Sequence, residues 1–297
     1  MKLVTRVFLL SLLTIFPVLA GEWRVVAPVP AMLPSASAVV INDHVYVLSG
    51  TVGQGLRQFF EVYDPRDDGW RPLTPLPANI DRFGVGTLNG RIIVTGGRER
   101  QTGEAVSDAW LYVHESALWV EVTPLPEAVF GHSVVEFGGA LYLIGGEGKN
   151  NFWRLDRQLQ EWTVLPSLPV TTHGAMATSD SNYIYLVNGA TAWRWAPEAG
   201  WKQLPSLPEA VVNAGIAALS DGLHVVGGYR EATKSASAKH YVFQSGKWKT
   251  LPNLPQARHL MGTAVYEDRL YVIGGASAGG FFSFFTGSDN LYVFQKN

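Results

Sequence analysis

Trp70-Arg71-Pro72-Leu73-Thr74-Pro75-Leu76-Pro77 opens a unit whose other fixed point, Gly97, lies 27 residues after Trp70 and 20 after Pro77. The same two spacings recur at Trp23, Pro30 and Gly50; Trp119, Pro126 and Gly146; Trp162, Pro169 and Gly189; Trp201, Pro208 and Gly228; and Trp248, Pro255 and Gly275. Six repetitions of two constant distances mark an internal repeat, so the repeat unit decides the fold. The count from each glycine to the next tryptophan varies instead (20, 22, 16, 12 and 20). Insertions are therefore confined to one part of each unit, as expected when rigid elements keep their length and loops do not.

Each unit reads as four short strands, because apolar and β-branched runs of about five residues alternate with Gly, Asn and Asp turns. In the unit that starts at Trp70, residues 70–73 form one strand and Pro75-Leu76-Pro77 breaks it. Residues 84–88 and 91–95 then flank Asn89-Gly90, a strong hairpin signal. Residues 110–113 supply the next strand before Trp119. The strand after each proline is rich in small residues, as in Ser35-Ala36-Ser37-Ala38, Gly84-Val85-Gly86 and Ala214-Gly215-Ile216-Ala217-Ala218. Strands that converge on an axis have no room for large side chains, whereas outer strands carry Trp and Tyr. That gradient describes a propeller blade. The sixth unit ends at Tyr292-Val293-Phe294 without a tryptophan strand, and Trp23 stands alone near the start. The expected object is an all-β, six-bladed ring whose N-terminal strand completes the C-terminal blade and removes open sheet edges.

Of 297 residues, 47% are hydrophobic and 16% charged, enough for a large core in one closed array. Residues 1–20 stand apart, with Lys2 and Arg6, an apolar run over 7–16 and the exit Val18-Leu19-Ala20. They read as a cleaved secretory signal, leaving 21–297 as the propeller. The apolar stretch is short for a membrane span, so no membrane insertion is expected after cleavage. The expected location is a bacterial periplasm or outside the cell. Removing Lys2 and Arg6 leaves 21 basic side chains against 25 acidic, a formal charge of −4. A nucleic-acid partner is not expected at that charge. There is no cysteine, hence no disulfide and no thiolate metal site. The expected state is a monomer held by packing, with no cofactor and no metal.

A Gly-Gly pair (Ser49-Gly50 in the first unit), then a tyrosine, then a tryptophan seven residues on, as in Tyr63 and Trp70, Tyr112 and Trp119, and Tyr241 and Trp248, resembles the kelch repeat. The third and fourth units depart from it, with Leu155 and Arg194 at the tyrosine position.

In an antiparallel blade, the loop entering the inner strand and the loop after the glycine pair emerge on one face, so both surround one mouth of the channel. The entrance loops carry Asp81 and Arg82, His132, His173, Asn213, and Arg258 and His259. The glycine-side loops add Arg98, Glu99, Arg100, Glu147, Tyr229, Arg230 and Glu231. One reading is that these groups cap blade ends and sit in water. The other is a ligand site, since such sites favour concave mouths with a few placed polar groups. Arg82 and Arg258 are the leading candidates to clamp a carboxylate or phosphate, because a guanidinium offers a planar fork of donors. Arg98, Arg230, His132 and Asn213 complete the candidate binding set. His132, His173 and His259 titrate near neutrality when unperturbed. The aromatic run Phe281-Phe282-Ser283-Phe284-Phe285, set between Gly279-Gly280 and Gly287, reads as a loop over the same mouth, either packed on its own blade or acting as a lid.

Three functional classes compete. Copper radical oxidases of the galactose oxidase type share kelch blades, but their cofactor needs a cysteine, and this chain has none. The last units also resemble exported bacterial N-acetylneuraminate epimerases, which are sialic acid mutarotases, through Gly246-Lys247-Trp248, Gln256-Ala257-Arg258 and Ile273-Gly274-Gly275 with Ala278-Gly279-Gly280. That resemblance implies a catalytic glutamate directly after Asn188-Gly189, where this chain has Ala190. Glu147, with His173 or His259, is the remaining candidate set for proton transfer. The first expectation is a binding propeller for a carbohydrate, a sugar acid or a protein; the alternative is a sugar mutarotase.

Overall fold

The computed structural model describes residues 21–50 and 58–296. The segment 1–20, read as a signal, lies outside the described residues, as does most of the first glycine-side loop. Among the described residues, no helix is long and apolar enough to cross a membrane.

Six four-stranded antiparallel sheets surround one axis. Their innermost strands are Ser37–Ile41, Gly84–Leu88, His132–Phe137, Met176–Ser179, Gly215–Leu219 and Gly262–Tyr266, and they define blades I to VI. Each packs on the next, and the first packs on the last, so the ring is closed. The small residues on these strands follow from that convergence. A side chain at Gly84 would collide with His132 and Val134 of blade III, and one at Gly86 with Val134.

Blade VI is completed by the N-terminal strand, as expected. Glu22–Val25 pairs antiparallel with Leu291–Gln295, with Trp23 opposite Phe294. This converts what would be two open edges into one continuous ladder.

The repeat tryptophans have a purpose beyond burial. Trp70, Trp119, Trp162 and Trp248 each donate the indole N–H to a backbone carbonyl on the preceding blade's outer strand exit: Ala27, Thr74, Thr123 and Pro205. Trp23 does the same with Pro252 O at 2.9 Å. The accepting residue lies four positions after the preceding tryptophan every time, so the fixed spacing in the sequence encodes a blade-to-blade bond. The indole of Trp201 lacks this partner. A buried aromatic whose N–H is satisfied contributes both area and direction. Hydroxyls staple the inner strands as well, with Ser133 Oγ on Ala175 O at 2.7 Å and Thr263 Oγ1 on Ile216 O at 3.0 Å.

Two details differ from the sequence reading. The run expected as a loop over 281–285 is a short 3₁₀ helix, Gly280–Phe285, capped by Thr286 N–H on Ser283 O. Short extra ladders, Ile80–Asp81 with Arg98–Glu99 and Tyr229–Arg230 with Ser235–Ala236, stiffen loops on blades II and V.

Candidate functional site

The repeat proline sets the register of each entrance loop. Three residues after it come Leu33, Ile80, Val129, Thr172, Val211 and Arg258, and all six are buried. Five residues after it come Arg82, Gly131, Gly174, Asn213 and Leu260, all with positive φ, while blade I has Ser35. A left-handed residue reverses the chain before the inner strand begins. Non-glycine residues hold that conformation only where their surroundings fix it. Here the fixing is mutual: Arg82 O accepts from Gly131 N, Asn213 O from Leu260 N and Leu260 O from Ala36 N.

This register corrects several expectations. Arg258, expected as a clamp at the mouth, occupies the buried position and is 3% exposed. Its Nη1 donates to Gly274 O at 2.8 Å, its Nη2 to Gln256 Oε1 at 2.5 Å, and its guanidinium lies over the Tyr292 ring. It ties blade VI together and has no fork left for a ligand. His259 is also buried: Nε2 meets Ala278 O at 2.8 Å, the ring packs on Tyr229, and burial lowers its pKa. His132 is the first residue of its strand and turns inward, with Nε2 on Thr95 Oγ1 at 2.9 Å. Burial pushes it down to about 3, so it is neutral and cannot serve as a proton-transfer group near neutrality. Arg230 binds Ser235 Oγ, Ala236 O and Glu209, which fastens the blade V loop. Asn213 lines the channel and covers Gly174.

Three of the predicted residues do converge. Arg82 Nη2 donates to Glu147 Oε2 at 2.5 Å, and His173 Nδ1 lies 3.0 Å from Glu147 Oε1. They come from three successive blades. Glu147 follows Gly145-Gly146 and is held by its own N–H on Phe130 O. The Arg82 guanidinium sits over the Phe130 ring at 4.8 Å, with that of Arg98 at 5.8 Å. Arg98 makes a bidentate pair with Asp81, both bonds at 3.0 Å, which raises its own pKa through that bond. Burial acts to raise the Glu147 carboxyl, but the bonds from His173 and Arg82 outweigh it and hold it below the usual range. Glu147 is therefore ionised at neutral pH. A carboxylate on Nδ1 fixes the tautomer of neutral His173, leaving a lone pair on Nε2. The His173 side chain is 66% exposed, so that nitrogen belongs to a group solvent and ligands can reach.

A cavity of about 410 Å³ is walled by all six inner strands, and Phe83 and Ala175, one and two residues after Arg82 and His173, are part of its lining. Its wall is mostly Ser, Ala, Gly, Thr and Val, with Glu136 as its carboxylate, held by Thr87 Oγ1 at 3.0 Å. Blade IV has the shortest strand connection at this mouth, Gly189 and Ala190 alone, while blade V spends residues 227–239 there. Thr191 Oγ1 bonds Asn188 O and Leu207 N–H bonds Ala190 O, so Ala190 sits in a tight turn. The mouth is thus least overhung where His173 stands. Among the described residues, no three His, Asp or Glu side chains are grouped to hold a metal.

Sequence reasoning missed Phe130 and Glu209. Phe130 was legible as the aromatic four residues after a repeat proline, where the other blades have Pro34, Asp81, His173, Val212 and His259. Glu209 follows its proline directly and gave no signal.

The ring of six four-stranded blades, the tryptophan stitches and the loop-built mouth define a six-bladed β-propeller that carries kelch motifs. The Kelch motif matches residues 81–126 and 128–169, which span blades II and III. Kelch-like protein 40b of Danio rerio is 31% identical over 134 residues, 42% of this chain and 22% of that protein. Kelch-like protein 40 of Mus musculus is 29% identical over 185 residues, 58% of this chain and 30% of that protein. The chain spans less than a third of the length of these relatives. The solved structure of YjhT superposes with a TM-score of 0.78, covering 91% of this chain and 99% of that one at 17% identity, a likeness of fold.

Proposed function

We propose that this propeller is an exported binding protein whose ligand, a carbohydrate or sugar acid or a segment of a protein, enters the mouth over blades II to IV. The observation that carries the reading is the Arg82–Glu147–His173 cluster beside an open channel. It offers donors, an ionised acceptor and an exposed imidazole within one ligand's reach, in the concave setting that binding sites favour. A glycan, sugar-acid and peptide screen by ligand-observed NMR tests it. Saturable binding that weakens at least tenfold in Glu147→Gln or His173→Ala is expected. No saturable binding to any probe, or binding indifferent to both substitutions, overturns it. Export is tested separately by the N-terminal residue of the protein purified from cells, which should fall near Gly21.

The Glu147–His173 pair favours a second reading, a sugar mutarotase. Ring opening of a hemiacetal removes a proton from the anomeric hydroxyl and returns one to the ring oxygen. An imidazole oriented by a carboxylate can do both in turn, although the glutamate of the epimerase pattern is replaced by Ala190. NMR of anomer exchange in N-acetylneuraminate separates the readings. The binding reading expects no acceleration; acceleration lost in Glu147→Gln would put the mutarotase first.

A further inference from the structure

Two histidines outside the mouth are fully buried and bonded to each other. His224 Nδ1 lies 2.9 Å from His240 Nε2, and His224 Nε2 lies 2.9 Å from Asp221 Oδ1. The proton positions follow. A carboxylate only accepts, so His224 Nε2 carries a hydrogen and its Nδ1, in the neutral ring, is an acceptor; His240 Nε2 must then donate. His240 Nδ1 is left as a buried nitrogen without a hydrogen-bond partner.

Both histidines belong to blade V, but the rings that cover His240 belong to the closing ladder of blade VI. Phe294 meets His240 edge-on at 4.6 Å and Trp23 packs on it at 5.3 Å. Pro252 O accepts from the Trp23 indole and also lies within reach of His240, where it acts to raise the pKa, but burial outweighs it. The charged groups around the pair lie on the Asp221 side. Lys296 Nζ is 3.1 Å from Asp221 and 2.5 Å from Asp268, and Ser220 bonds both Lys296 and Asp268. No carboxylate among the described residues touches His240.

We propose that the His224–His240 pair is an acid-operated release for the N-terminal strand that closes the ring. An added proton enters at His240 Nδ1, beneath Phe294 and Trp23; if the shared hydrogen then passes to His224 Nδ1, the charge faces Asp221, but the imidazolium is still buried, and burial outweighs Asp221 in holding both pKa values down. An imidazolium placed there gains water only if those rings, and with them the strand Glu22–Val25, move away. Burial keeps both rings neutral, His240 down to about 3 while the ladder is closed. The released strand, in which the ring is solvated, therefore gains population as pH falls from about 6.5, the free histidine value.

Hydrogen exchange of the full chain, read by mass spectrometry at pH 7 and pH 4.5 and corrected for intrinsic rates, tests this. Protection over residues 22–25 and 291–295 should fall at least tenfold at the lower pH, while the strand Ala140–Gly145 of blade III keeps its protection. His240→Gln retains a donor for His224 Nδ1 but does not titrate, and should cut the fall to less than threefold. Equal loss of protection in all blades, or an unchanged fall in His240→Gln, overturns the proposal. Should that variant not fold, imidazole ¹⁵N shifts of the wild type serve instead. Proton uptake by His240 together with opening of the strand supports release, and a His240 that stays neutral while the strand opens refutes it.

Discussion

Arg258 gives the sharpest test of the register that the repeat imposes, and the perturbation is its replacement by alanine and by methionine. The guanidinium holds Gly274 O, binds Gln256 and covers Tyr292 in a buried position. Losing a charge-assisted hydrogen bond costs about 1.5–3 kcal/mol. A desolvated cation–π contact adds roughly 0.5–2 kcal/mol. These terms overlap, so the total for Arg258→Ala is on the order of 3–5 kcal/mol. At about 2–3 °C per kcal/mol for a chain of this size, Tm should drop by roughly 6–15 °C. Arg258→Met keeps the apolar stem and removes the donors, and should lose about half as much. Thermal unfolding by circular dichroism at pH 7 measures both. A Tm within about 2 °C of wild type for Arg258→Ala, together with weakened ligand binding, would refute the burial argument and restore Arg258 to the mouth.

Deleting residues 21–25 removes Trp23 from Phe294 and Pro252, and should cost about 3–5 kcal/mol from the aromatic alone and cause aggregation at the exposed edges; unchanged solubility and Tm would count against closure. The pH dependence has a definite sign. His114, His132, His224, His240 and His259 all have folded pKa values below the free value because of burial, so their contribution is complete above about pH 6.5 and is lost as pH falls below it, towards about 3 for His132 and His240. Each adds about 1.4 kcal/mol per pH unit to the slope while it differs between states, and a urea midpoint that stays flat from pH 7 to 5 would contradict this. Gly174→Ala puts a methyl against Asn213 Oδ1 at a left-handed position, and should destabilise by about 1–3 kcal/mol; a neutral result in urea would show that this junction is slack.

The blades and their closure were legible because the tryptophan, the proline and the glycine each serve a part of fixed length: a stitch, a loop start and a strand end. The site was legible only in part. Aligning the entrance loops loosely around the proline put Arg258, His132, His173 and His259 in one crown. They stand three, six, four and four residues after their prolines, and in an extended chain with a left-handed residue each step changes the direction of the side chain. The core positions in the other five blades, Leu33, Ile80, Val129, Thr172 and Val211, held the information that Arg258 is internal. His173 and His259 share a position, yet only blade VI lays residues 276–278 over its histidine. Blade IV has a two-residue turn, which leaves His173 uncovered.

The tryptophan stitches have one more consequence. The joint that Trp23 makes to Pro252 is of the same kind as four joints inside the covalent chain, so the ring does not distinguish its seam from its other stitched interfaces. Glu22 and Gln295 are paired neighbours in the last blade. A short turn joining them, with new ends cut at the Glu198-Ala199 turn of blade IV, would give a circular permutant with every stitch intact. Its order of assembly would change, since the closing step would move from blade VI to blade IV, where Trp201 makes no indole bond to its neighbour.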